Sequence, residues 1–221
     1  MLVDPCDIPV FITSFNLVTA PKALVDWLLA TGTKRITLLD NASTYPPLLE
    51  WYERLPEGVS VQHLGGNFGP WGFWENGFNK EMDTPYIVTD PDCVPTESCP
   101  GDLVEKCMRL LHDNPGNLKV GPSLIVPGLD DLTKENWEHQ FRRKRFSADA
   151  WLAHIDTTFA IYGPRASFCN ESFNLRLDKP YSVYHTPNYY QEPLSEEVKF
   201  YVAQANRAWS HAWMRAGRSA P

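Results

Sequence analysis

Through the first part of the chain, short apolar runs alternate with helical patterns, and the runs show no polar alternation. Ile8 to Thr13 (IPVFIT), Ile36 to Leu39, Val59 to Val61 and Tyr86 to Thr89 read as strands. Continuously apolar strands are expected where helices cover both faces of a sheet. The segments between them fit that role. Pro21 to Ala30 places Leu24, Trp27 and Leu28 on one face and stops at Gly32. Ser43 is positioned to cap a helix with Pro46 and Pro47 in its first turn and Leu48, Leu49 and Tyr52 on its face. Pro70 opens a third helix that runs to about Lys80. Strand and helix repeated three times and closed by a strand predict a doubly wound, mostly parallel α/β sheet.

The second half is less regular and predicts a mixed arrangement. Asp102 to His112 is helical, with Leu103, Cys107, Leu110 and Leu111 facing inward. Lys119 to Val126, Ile155 to Tyr162 and Tyr181 to Tyr184 read as strands. Thr133 to Phe146 reads as a charged helix with Trp137 and Phe141 four apart. Ser195, followed by Glu196 and Glu197, starts a final helix that presents Val198, Tyr201, Val202, Ala205 and Trp209 on one face. There is no repeat, low-complexity segment or linker, so one domain is expected over residues 1–221. Its two halves meet near residue 95. A chain of 221 residues buries enough surface to fold without staples.

The net charge of -7 argues against a surface built mainly to grip nucleic acid, although Arg142-Arg143-Lys144-Arg145 forms a local basic run. Such a run is by default a solvated face. Five cysteines, an odd number with no CxxC pair, read as reduced thiols of a cytoplasmic protein. A zinc site from Cys93, Cys99 and Cys107 fits no familiar spacing. The acidic N-terminus lacks the basic region of a signal peptide, and no apolar stretch reaches the length of a membrane span.

In open α/β sheets, ligands bind beyond the carboxyl ends of the strands. Here those ends carry Ser14-Phe15-Asn16, Asp40-Asn41, the loop from Gly65 to Pro70, and Asp90-Pro91-Asp92. A dinucleotide fingerprint needs glycines directly after the first strand, and TSFNLVTAP has none. The glycines after the third strand let backbone approach a ligand, or simply make a tight turn. Trp71 and Trp74 flank that loop as sugar platforms or as core. Asp90 and Asp92 are hard oxygen ligands suited to Mg²⁺ or Mn²⁺ on a diphosphate, or else form an Asx turn at Pro91.

The order of these pieces resembles the family 2-type glycosyltransferases with a GT-A fold. The resemblance covers roughly Ile8 to Pro95. It consists of a polar loop after the first strand, LLDNAST at the second, Asn67-x-Gly69 at a helix start, and the DxD-type motif Asp90-Pro91-Asp92. It implies a single GT-A-like domain with a nucleotide-sugar-binding half at about 8–95 and an acceptor half at about 96–221. Ser14, Phe15 and Asp40 would then hold base and ribose, with Asn16, Asn41, Asn67, Gly69 and Trp71 lining the donor crevice. Asp90 and Asp92 would hold the cation and diphosphate, and a late His185 would complete the metal site.

The reaction implied is metal-dependent, inverting transfer from a nucleoside diphosphate sugar, a UDP-sugar first, to a hydroxyl. The catalytic base is Asp156 in HIDTTFAIYG, or Glu171 in FCNESFN as runner-up; neither matches the family's usual acidic motif. A glycan is the default acceptor. A hydroxymethylated base in phage-type DNA is the alternative, motivated by Arg142 to Arg145. The rival readings are a sugar nucleotidyltransferase and a non-catalytic nucleotide-sugar or glycan-binding module.

Overall fold

The computed structural model describes residues 3–116, 119–125, 142–168, 174–185 and 193–204. Four parallel strands open the fold: β1 (Val10–Ser14), β2 (Ile36–Asp40), β3 (Val59–His63) and β4 (Tyr86–Thr89). They lie side by side in the order β3-β2-β1-β4, with Ser14 opposite Asp40 and Asp40 opposite His63. The chain therefore winds outward from β1 to β3, then returns to the other side of β1. The order reverses between β1 and β4, where an open α/β sheet presents its crevice.

Successive side chains on a strand point to opposite faces, and this splits the core in two. Val10 and Ile12 of β1, Ile36 and Leu38 of β2, and Ile87 of β4 pack beneath helix α1 (Thr19–Ala30), against Leu24, Val25 and Leu28. Phe11, Leu39, Tyr86 and Val88 point the other way, onto Phe73. β3 departs from the continuously apolar pattern. Its Ser60, Gln62 and His63 are exposed, because it is an edge strand with a neighbour on one side only.

The sheet does not stop at β4. β10 (Ala160–Tyr162) joins it antiparallel, and the order continues through β6 (Lys119–Gly121), β11 (Asn174–Leu177), β9 (Ala150–Ala153) and β8 (Arg142–Arg145). Among the described residues, nine strands thus form one mixed sheet. A second, three-stranded sheet sets β12 (Ser182–Tyr184) between β5 (Val94–Pro95) and β7 (Ser123–Ile125). Helix α4 (Leu103–Asp113) buries Leu103, Cys107 and Leu111 as its spacing predicts, adds Val104 and Met108, and leaves Leu110 half-buried.

Several elements differ from the sequence reading. The helix expected from Pro70 to Lys80 is cut into a 3-10 turn at Gly69–Trp71, the short helix α3 (Gly72–Glu75) and a second turn at Phe78–Glu81. Gly77, at φ +78°, makes the break in a conformation that L side chains rarely adopt. Helix α2 (Pro46–Tyr52) is not capped by Ser43. Tyr45 takes the N-cap position, and Asn16 Oδ1 accepts from the backbone N–H groups of Thr44 and Tyr45 at 2.7 and 2.9 Å.

The run Lys119 to Val126 breaks at Pro122, which cannot donate to a ladder, and its two strands enter different sheets. The strand expected from Ile155 is formed only at Ala160–Tyr162. Arg142–Arg145 is an edge strand rather than the end of a helix, and the rest of that expected helix, 133–141, lies outside the described residues. Charges on an edge strand oppose pairing with another chain. Arg145 is held there by Asp178 at 2.5 Å and stacks over the Trp151 ring at 4.5 Å.

The C-terminal helix α5 (Glu196–Gln204) is tied to the start of α1. Ser195 Oγ accepts from the Val198 N–H at 3.3 Å, the cap the sequence suggests. The Glu197 carboxylate accepts from the N–H groups of Val18 and Thr19 at 2.7 and 3.0 Å and from the Thr19 hydroxyl at 2.5 Å. Val18 offers α1 no side-chain cap of its own, so a distant carboxylate meets the helix dipole. Ring contacts Phe15–Tyr201 and Tyr45–Phe200, at 6.0 and 5.0 Å, extend the same contact. Glu197→Ala should cost about 1–2 kcal/mol, a fall in Tm of roughly 2–8 °C for a chain of this size. An unchanged calorimetric Tm would rule out this capping role.

Candidate metal and donor site

β4 carries the chain out of the core at Thr89, and Asp90 to Cys93 turn across the crevice before β5. The three-stranded sheet then does something the sequence does not show. Tyr184 of β12 pairs with Val94 of β5, so the next residue, His185, is drawn alongside the Asp90-to-Cys93 turn. The His185 backbone N–H is held by Ile125 O at 2.8 Å on the other side. One ligand atom each from Asp90, Asp92, Cys93 and His185 thereby falls within 4.8 Å of the others. His185 Nε2 lies 3.9 Å from Asp90 Oδ2 and 4.0 Å from Asp92 Oδ1. The three side chains are 12%, 17% and 8% exposed in that order. Two carboxylates, an imidazole and a thiol converging at this depth form a donor set that fits a divalent cation.

Asp156 stands in the loop between β9 and β10, not at the head of a strand as expected. It belongs to the same electrostatic group. Burial pushes the Asp90 carboxyl well up, and the charges of Asp92 and Asp156 add to that, against the hydrogen bond from Thr157. Burial is also the largest single influence on Asp156 and raises it. The positive charges of His185 and Arg176 and the hydrogen bonds of Thr158 outweigh burial and leave Asp156 below the ordinary carboxylate value. Thr157 Oγ1 donates to Asp90 Oδ2 at 2.9 Å, and the Thr158 N–H donates to Asp156 Oδ1 at 3.1 Å. The adjacent threonines thus fix one carboxylate each.

Beneath this loop lie two buried cations that the sequence reading passed over. Lys119 Nζ reaches Asp156 O at 3.4 Å and sits over the rings of Phe168 and Tyr162 at 4.6 and 5.3 Å. Arg176 donates to Pro122 O at 2.8 Å and to His154 O at 3.1 Å. The available signal was a single charge inside the apolar run NLRL. Such a charge is rarely buried without a reason.

The residues expected around a nucleotide divide into two groups. Ser14, Asn16, Asp40 and Asn41 are buried and bonded within the protein. Asp40, 2% exposed, receives the Ser43 N–H at 3.3 Å and lies 3.1 Å from His63 Nδ1. The Tyr52 hydroxyl is 3.1 Å from Asp40 and 2.8 Å from Ser14 Oγ. With one proton to give, it donates to the carboxylate and accepts from the serine.

Asn41 holds the glycine loop, accepting from the Phe68 N–H at 2.9 Å and donating to Gly69 O at 3.3 Å. Asn67 Oδ1 accepts from the Gly69 N–H at 2.9 Å. Gly65 and Gly69 both have positive φ, so the loop is a tight strand-to-helix turn. Phe15 and Trp71 are half-buried and Asn67 is exposed, and the Phe15 ring packs on Tyr201. Trp74 is core, packed on Phe73, Tyr162 and Phe168. Glu171 lies outside the described residues. No helix among the described residues is long and apolar enough to cross a membrane.

No protein-family model matches the sequence, and neither does any curated protein. In three dimensions the chain is similar to a mannosyltransferase from Pyrobaculum calidifontis, solved with GDP-Man and Mn²⁺. The TM-score is 0.50 at 13% identity, over 82% of this chain and 58% of that one. It is also similar to 4-diphosphocytidyl-2C-methyl-D-erythritol synthase from Anaerococcus prevotii, with a TM-score of 0.43 at 12% identity over 73% of each chain. The chain thus spans 58% of the length of the mannosyltransferase, and at this identity the likeness is one of architecture. Nine strands with a parallel, doubly wound start and a mixed continuation make this a GT-A-like fold, the architecture it shares with that mannosyltransferase.

Proposed function

We propose that the protein is a metal-dependent glycosyltransferase that moves a sugar from a nucleoside diphosphate sugar to an acceptor hydroxyl with inversion. One observation carries the reading: Asp90, Asp92 and His185 converge at the carboxyl end of β4, beside the point where the strand order reverses. A bound Mn²⁺ or Mg²⁺ there would neutralise charge on the departing diphosphate. Asp156, ionised at neutral pH, takes the proton of the acceptor hydroxyl.

Phe15, Asn67 and Trp71 line the donor crevice, while Ser14, Asn16, Asp40 and Asn41 stiffen its walls. The division of labour proposed is a donor half at about 8–95 and an acceptor half at about 96–221 within one domain. A UDP-sugar is the first donor to test. GDP-mannose is the second, because the mannosyltransferase of similar fold was solved with it. The acceptor proposed is a glycan. The DNA-base alternative rests on Arg142 to Arg145, of which Arg145 is already engaged by Asp178 and Trp151.

Calorimetry tests the reading. UDP and GDP are titrated with and without Mn²⁺, and transfer is then assayed with the corresponding sugars. One diphosphate should bind, and its binding should require the ion. Equal affinity with and without the ion would overturn the metal role. Ion-dependent binding without hydrolysis or transfer would point to a binding module.

The hydrogen bond from Thr157 supplies a finer test. It holds Asp90 in place without touching the ion itself, a positioning role. Thr157→Val should weaken Mn²⁺ binding by about 10–100-fold, while Thr157→Ser, which keeps the hydroxyl, restores most of it. Electron paramagnetic resonance of free Mn²⁺ reads the affinity directly. Equal affinities in all three proteins would sink the role.

A further inference from the structure

The fourth member of the cluster, Cys93, is not needed for a site that handles Mn²⁺ or Mg²⁺. Those ions prefer carboxylate, carbonyl and water oxygen, with imidazole tolerated. Yet Cys93 Sγ lies within 4.8 Å of a ligand atom of each of Asp90, Asp92 and His185. The residue has 0% exposure and belongs to the hydrophobic core cluster that includes Ile87, Phe159 and Val183. Its thiol therefore faces the cluster from the core side, whereas Asp90 and His185 reach it from the partly open side.

The geometry points to Cys93 as a thiolate ligand. It gives this site a second, deeper mode that takes a thiophilic dication, Zn²⁺ above all, through Cys93, His185 and the Asp90–Asp92 pair. This inference rests on the metal site proposed above and adds a metal class to it. A tetrahedral Zn²⁺ with bonds of about 2.3 Å to sulfur and about 2.0–2.1 Å to nitrogen and oxygen keeps its ligand atoms roughly 3.3–3.6 Å apart. The present separations, all within 4.8 Å, reach that range by closing at most about 1.5 Å. On binding, the thiol proton passes to solvent, the electron pair left on sulfur forms the bond to the metal, and one proton is released per ion bound, so the step needs no oxidant or reductant.

Two consequences follow from the chemistry. Zn²⁺ outranks Mn²⁺ at mixed nitrogen, oxygen and sulfur sites, and a thiolate widens the gap. An ion drawn to Cys93 also sits further from the open crevice, where a diphosphate must approach. Zn²⁺ should therefore displace Mn²⁺ and fail to support the tight diphosphate binding that Mn²⁺ supports.

Co²⁺ is the probe, because its spectrum reports both ligand and geometry. The full chain, kept reduced, is titrated with Co²⁺, and Mn²⁺ affinity is measured in parallel by electron paramagnetic resonance. The expected result is a near-ultraviolet thiolate-to-cobalt charge-transfer band with intense visible bands of a tetrahedral ion. Stoichiometric Zn²⁺ should abolish both, and Cys93→Ser should lose the charge-transfer band. The same variant should weaken Zn²⁺ by about tenfold or more, and Mn²⁺ by less.

Co²⁺ bound without a charge-transfer band overturns the inference. So does a band that survives in Cys93→Ser, since another cysteine would then be the ligand. Because the wild-type spectrum decides the first of these, the test holds even if the variant folds poorly. Mn²⁺ binding with no thiolate band would reject Cys93 while leaving the proposed function standing. No binding of either ion would reject both.

Discussion

Asp92→Asn is expected to abolish measurable Mn²⁺ binding and to lower sugar transfer by about a thousandfold. The size follows from what the site offers. Charge stabilisation by a metal at a departing oxygen is worth several kcal/mol, and each 1.4 kcal/mol is a factor of about ten. Asp92 is the less exposed of the two clustered carboxylates and lies 4.0 Å from His185 Nε2 across the cluster. Removing its charge leaves Asp90 and His185 without the geometry to hold a hard cation.

Asp90→Asn should do less. Asp90 Oδ2 already accepts the Thr157 hydroxyl, and burial together with the charges of Asp92 and Asp156 pushes its carboxyl toward the neutral form. The two variants, compared by Mn²⁺ resonance and by transfer rate at saturating donor, thus rank the pair. Retention of wild-type transfer in Asp92→Asn would refute a metal-assisted reaction at this site. Equal losses in both variants would refute the ranking. Circular dichroism of each variant separates these outcomes from unfolding.

The first half of the chain was legible because its strands are short and continuously apolar. Tyr86 to Thr89 is a strand with the predicted bounds, and it ends at the two aspartates as expected. Strand-helix repetition predicted the parallel start, and the crevice beyond β1 and β4 followed from topology alone. Edge strand β3 was the exception, since a strand with one neighbour can carry Ser60, Gln62 and His63 outward.

The second half was less legible because its strands average only three or four residues, too short for a period to declare itself. β9 and β11 went unseen, and with them the route by which Arg176 comes to lie beneath Asp156. Arg142–Arg145 carried a helical composition, but sheet pairing with β9 overrode it. His185 was picked out as a metal partner of Asp90 and Asp92. Its delivery depends on β12 pairing with β5, a long-range contact that no local pattern reports. Spacing along the chain sets Cys93 only beside Cys99 and Cys107. Its neighbours in space are two aspartates and that histidine, which spacing along the chain cannot show.

The other large effect concerns the proton. Asp156→Asn should leave Mn²⁺-dependent donor binding within about threefold of wild type and cut transfer by about 10²–10⁴-fold, the usual contribution of a positioned general base. The two readouts separate because Asp156 is not one of the four residues whose ligand atoms converge. Its charge is nonetheless felt at Asp90 and balanced by Arg176. Against burial, the Arg176 charge and the Thr158 hydrogen bonds help hold Asp156 below the ordinary carboxylate value, so it is ionised at neutral pH, as a base must be before it acts.

The same low value makes it a mild base, and proximity to the acceptor hydroxyl then has to supply most of its effect. Anchoring by the Thr158 N–H at 3.1 Å gives it that fixed position. An amide in its place keeps the size and the bond from Thr158 but cannot take a proton. Undiminished transfer in Asp156→Asn would remove Asp156 from the mechanism. If Glu171→Gln abolished transfer in the same assay, the base would be Glu171 instead. Loss of donor binding in Asp156→Asn would show that the carboxylate serves the metal site rather than the acceptor.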